Sequence, residues 1–173
     1  MKWRRVILVV FVAIVLGAFG WMVFQTQPPP EPMCRGEPLS VWLSSSANPH
    51  YGRYEDNLVR TYMQQEVQEA LKEIGTNAIP TLLHWLRAND SPLKQKMIDL
   101  ARKQKVVKIH HTPPGALHQL AAIGFARLGA SASNAVPALI EIYERNYSED
   151  SQRLTYLSLK SVDPEAAAKA GVK

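Results

Sequence analysis

The sequence predicts an all-α protein, a short stack of helix pairs preceded by one apolar N-terminal span. Three observations predict it. First, a phrase is written twice, as Asn77-Ala78-Ile79-Pro80-Thr81-Leu82-Leu83 and as Asn134-Ala135-Val136-Pro137-Ala138-Leu139-Ile140. The copies start 57 residues apart, match at four of seven positions and differ conservatively at the other three. Second, the residues flanking each copy are apolar at helical spacing. Third, the chain opens on a long uncharged run.

That run, residues 6–24, holds 19 residues without a charge. At the helical rise this roughly matches the ~30 Å hydrocarbon core of a bilayer. Lys2, Arg4 and Arg5 precede it and no basic residue follows until Arg35, which places residues 1–5 in the cytoplasm and the rest of the chain outside. Trp3 and Trp21 suit the two interfaces. A cleaved signal sequence is the competing reading, with Ala18 and Gly20 as the small residues before the cut. The apolar run continues through Trp21-Met22-Val23-Phe24, which favours an uncleaved anchor. In either case the remainder is exported. The charge is local too: without the three leading basic residues, 17 basic side chains stand against 15 acidic ones. The basic balance is therefore no argument for nucleic acid.

Residues 25–37 read as a proline-rich linker, with four prolines in the eight residues 25–32 favouring an extended polyproline stalk. The one cysteine, Cys34, falls in it and has no internal disulfide partner. It reads as a free linker thiol or, on the oxidising exported side, as an intermolecular crosslink. Residues 38–56 form a short helix and a loop. Pro38 suits a first helical turn, and Leu39, Trp42 and Leu43 fall at i, i+3 and i+4.

The repeat region is 57–173. Leu58, Val59, Tyr62, Met63, Val67, Ala70, Leu71 and Ile74 make one helical stripe. Gly75 is placed to end that helix in the left-handed conformation. Asn77 is expected to cap the next helix, whose inner face is Ile79, Leu82, Leu83 and Leu86, with Pro80 where no N–H is needed. The second copy repeats this with Ala121, Phe125 and Leu128, then Gly129, then Asn134 as cap and Val136, Leu139, Ile140 and Tyr143 inward. In a third, shorter copy Leu159 and Val162 match Leu71 and Ile74, and Asp163-Pro164 replaces the glycine turn. Copies two and three are 34 residues apart and copies one and two 54. The difference is an insert containing SPLKQKMIDLARKQ, with Ser91 as cap and Leu93, Met97, Leu100 and Ala101 on one face.

Helix pairs that cannot bury their apolar faces alone are the mark of an α-solenoid. EALKEIGTNAIPTLLHWL, FARLGASASNAVPALIEIY and the partial copy LKSVDPEAA resemble HEAT repeats over about residues 57–170. The whole layout also resembles membrane-anchored bacterial proteins of that type whose function is not established. The resemblance implies a right-handed stack of roughly seven or eight helices. It implies no reaction.

No phosphate-cradling glycine loop, dinucleotide fingerprint, zinc-protease helix, paired-cysteine motif or nucleophile elbow is present. His110 and His111 are adjacent and point apart, and His118 lies beyond Pro113-Pro114-Gly115. These read as ordinary loop histidines, and no metal, cofactor or small-molecule substrate is indicated. Six basic residues lie between Lys94 and Lys108 against Asp99 alone. Of these, Arg102, Lys103, Lys105 and Lys108 form a candidate anion-binding surface, for lipid headgroups or an acidic protein. His84 and Glu141 hold equivalent places in the two copies, and His84 adjoins Trp85, so these three are candidates for a binding groove. The expectation is a non-enzymatic scaffold that binds a partner protein at the outer face of the cytoplasmic membrane. The alternatives are a membrane-surface or anionic-ligand binder acting through 94–108 and, last, an enzyme or accessory subunit of unrecognised type. Asn89-Asp90-Ser91 and Asn146-Tyr147-Ser148 fit the glycosylation acceptor pattern, a frequent chance match.

Overall fold

The computed structural model describes residues 30–47, 57–89, 96 and 112–171. Among them a two-stranded hairpin, β1 (Met33–Cys34) and β2 (Glu37–Pro38), is followed by seven α-helices. These are α1 (Leu39–Ala47), α2 (Asn57–Ile74), α3 (Ile79–Leu86), α4 (Pro114–Leu128), α5 (Val136–Arg145), α6 (Glu149–Val162) and α7 (Pro164–Gly171). The chain is all-α in class. No helix among the described residues is long and apolar enough to cross a membrane. The run at 6–24, the tail at 1–5 and most of the insert after α3 lie outside the described residues.

The hairpin was not legible as such. Cys34 pairs with Glu37 and Met33 with Pro38. Arg35 and Gly36 between them have φ of +52° and +83°, as a two-residue turn matched to the strand twist requires. The strands lie in what reads as linker except for Pro38, which was expected in the first helical turn and instead ends β2, and Cys34 is only 3% exposed. The expected open thiol is thus a core group. Burial pushes its pKa up first, and the adjacent Glu73, as hydrogen-bond partner and as negative charge, adds to the rise while Arg35 opposes it.

The hairpin also starts α1. Leu39 N–H donates to Pro32 O (3.1 Å), Ser40 N–H donates to the Glu31 carboxylate (3.1 Å), and the Trp42 indole N–H donates to Cys34 O (3.1 Å). Glu31 thereby places a negative charge on the helix N-terminus. Leu39 and Leu43 are fully buried, as the sequence spacing expects, and α1 packs on α2 and α4.

The helix pairs form around their glycines. Gly75 (φ +58°) and Gly129 (φ +52°) end α2 and α4. The segments after these glycines depart from expectation. Gly75–Ala78 and Gly129–Ala135 are 3-10 turns, so the residues before α3 and α5 are Ala78 and Ala135, already right-handed and without a side-chain cap. Asn77 and Asn134 are exposed and do not cap. The reason is that the 3-10 turn supplies its own acceptors: Ile79 N–H donates to Thr76 O and Val136 N–H to Ser133 O. Pro80 and Pro137 fall at the second helical position, where the missing N–H costs nothing. The third junction uses a side chain after all: Asp163 Oδ1 accepts from Glu165 N–H and Ala166 N–H, 3.0 Å each.

α4 lies at the centre, against α1, α2, α3 and α6, and α6 in turn meets α5 and α7. Leu71, Phe125 and Leu159, equivalent in the three copies, are all fully buried, as are Leu82 and Leu139. Two inner faces differ from expectation. Tyr62 is 66% exposed, although Val67, further along the same expected stripe, is buried. Ile142, not read as inward, is fully buried. The α3–α4 contact is close because Gly124 has no side chain: a Cβ there would stand 2.7 Å from Leu82 Cδ2.

Candidate functional site

The end of α3 is where the described helices knit together. A helix leaves its last carbonyls without intrahelical partners. Here two neighbours supply donors. Ser151 Oγ of α6 donates to Leu86 O at 2.6 Å. The His118 ring Nε2 of α4 lies 2.8 Å from Ala88 O; a carbonyl only accepts, so Nε2 carries the proton. His118 is therefore a buried helical residue, 1% exposed, and not a loop histidine. Its Nδ1 and Thr155 Oγ1 are buried without a protein partner.

Trp85 proves to be part of this core, 4% exposed, so it lines no open groove. Its equivalent in the second copy, Ile142, is likewise buried. His84, one residue earlier, is exposed. Desolvation first, then the Arg87 cation, lowers its pKa. Glu141 is exposed as well and is occupied by two cations: Arg145 at 3.0 Å, one turn along α5, and Arg87 at 3.8 Å, just past α3. The Arg145 guanidinium also reaches Tyr147 Oη at 3.4 Å. That hydrogen bond is the main reason Arg145 is held still more basic, the charges of Tyr147 and Glu141 adding to it. Asn89 Nδ2 donates to Tyr147 O at 3.1 Å, closing the seam. Glu141 thus belongs to a polar seam that ties the end of α3 to α5, and His84 lies within reach of the Arg87 charge in it. Water screens such exposed pairs, so they contribute little to stability. Arg102, Lys103, Lys105 and Lys108 lie outside the described residues, as do His110 and His111.

A more distinctive surface runs between α4 and α6. On α4, Gln119, Ala122, Ile123 and Ala126 recur at i, i+3, i+4 and i+7, and on α6 Leu154, Leu157 and Ser161 at i, i+3 and i+7. Together they line a groove of about 370 Å³. Small side chains form much of its floor, and Leu157 stands in it 45% exposed. These residues were not singled out from sequence. One signal was there: PGALHQLAAIGFARL is apolar around more of its circumference than one buried stripe needs. A second, smaller groove of about 280 Å³ separates α5 from α7. Ile140, Ala166 and Ala170 give it an apolar floor, and Glu144, Asp163, Glu165 and Lys169 a charged rim. Asp163 is already engaged as the α7 cap.

Among the described residues no three His, Cys, Asp or Glu side chains are grouped to hold a metal ion. Comparison with known proteins finds no matching family model, no matching curated protein and no matching solved structure.

Proposed function

We propose that this chain is a non-catalytic interaction module. In this reading it is a short HEAT-like α-solenoid carried on a single N-terminal transmembrane helix. It is displayed on the outer face of the cytoplasmic membrane and binds a partner protein by surface complementarity. The observation that carries the reading is the groove between α4 and α6. It is apolar, open and lined by one regular stripe from each helix, the form that receives a partner's side chains.

The solenoid part rests on recurrence. Equivalent positions of successive helix pairs are buried alike, positive-φ glycines end the first helix of two pairs, and proline recurs at the second position of α3 and α5. Successive pairs also stack on one another, α3 on α4, α4 on α6 and α5 on α6. The membrane part rests on the uncharged run at 6–24 and the basic residues ahead of it.

The test uses the full chain in its own membrane. A photo-crosslinking amino acid at Leu157 or Ile123 is expected to give one protein adduct of discrete mass. The same amino acid at Lys72, exposed on α2, should not give it, and Ala126→Arg, which fills the groove, should abolish it. Absence of an adduct at position 157, or identical adducts at position 72, would falsify the reading. Topology is tested separately. A reporter enzyme that folds only outside the cytoplasm, fused after Lys173, should be active, and an inactive fusion that is nevertheless made in full rules out export.

A further inference from the structure

We draw no further inference here: the strongest candidate, the apolar groove between α4 and α6 floored by Ala122, Ala126 and Leu154, belongs to the surface already proposed, and nothing in the structure shows what covers it.

Discussion

Ser151→Ala removes one hydroxyl from the middle of the molecule. That hydroxyl is fully buried and donates to Leu86 O at 2.6 Å. Leu86 is the last residue of α3, so its carbonyl has no partner inside the helix. The substitution leaves a buried acceptor unpaired, which costs about 1–3 kcal/mol. At roughly 4 °C per kcal/mol, Tm falls by about 4–12 °C. Circular dichroism at 222 nm during heating reads it. Thr155→Val is the control. Thr155 sits one turn along the same helix, equally buried, but its Oγ1 has no protein partner. Replacing the hydroxyl by a methyl loses no bond and relieves a buried polar group, so stability holds or rises by about 1 kcal/mol. If both variants lose the same stability, the cost comes from disturbing the packing of α6, and the bond to Leu86 is not what joins α3 to α6.

Other perturbations address other joints. Gly124→Ala pushes a methyl to 2.7 Å from Leu82 Cδ2 and should cost about 1–3 kcal/mol by urea unfolding; Leu82→Ala in the same chain should remove most of that clash, and strict additivity of the two losses would show that the sites do not touch. His84 should titrate by NMR below the ordinary histidine range, because desolvation and then Arg87 disfavour its charged form. Since the unfolded chain binds that proton more readily, this residue's contribution to stability is complete above the unfolded pKa and is lost as pH falls through the folded one. Arg87→Ala should move the midpoint part of the way up, and a wild-type midpoint at or above that of an unstructured histidine peptide contradicts the assignment. Cys34, buried and held protonated by its surroundings, should react slowly with a thiol reagent in the native chain and at the rate of a free thiol in denaturant; fast native labelling places it at the surface.

Which parts of this structure could be read in advance depends on the range over which each signal acts. The burial of Leu71, Leu82, Phe125, Leu139 and Leu159 was legible because a 3.6-residue period is written several times along each helix. The positive φ of Gly75 and Gly129 was legible because few residue types other than glycine serve there. The capping role given to Asn77 and Asn134 failed for a local reason. A 3-10 turn satisfies the same N–H groups with backbone oxygens, and the two solutions use the same residue types. The hairpin failed because its turn places Arg35 in the left-handed region, where Asn, Asp or Gly would have signalled it. The partners of His118 and Ser151 are carbonyls 30 and 65 residues away. No local pattern marks a donor whose acceptor is chosen by how two helices meet. The candidate surface shows the same limit. His84 and Glu141 were found by comparing copies, but the α4–α6 groove exists only once both helices are placed, and Ala122 and Ala126 look like ordinary helix formers.

The position of that groove bears on what it can be. In the proposed solenoid, an unfinished repeat would leave its apolar face at an end of the stack. Among the described residues, both terminal groups of elements are instead packed against their neighbours. At one, Cys34, Leu39 and Leu43 bury the hairpin and α1 against the rest. At the other, Asp163 caps α7, and Ala167 of that helix is buried. Away from the core, α6 carries Glu149, Asp150, Arg153 and Lys160, all exposed, which is how a soluble face is built. Leu157 departs from that pattern at the one place where α4 brings Ile123 and two alanines beside it. A single exposed leucine needs no explanation, but a leucine beside a second apolar stripe makes a concave surface. Leu157→Asp separates the two cases. With Leu157 already 45% exposed, the change should leave Tm within about 2 °C, since surface substitutions away from special features stay within ±0.5 kcal/mol. Binding through the groove should fall tenfold or more, because the aspartate would have to leave water to enter the contact. A large loss of Tm would make Leu157 part of the protein's own packing and end its candidacy as a contact residue.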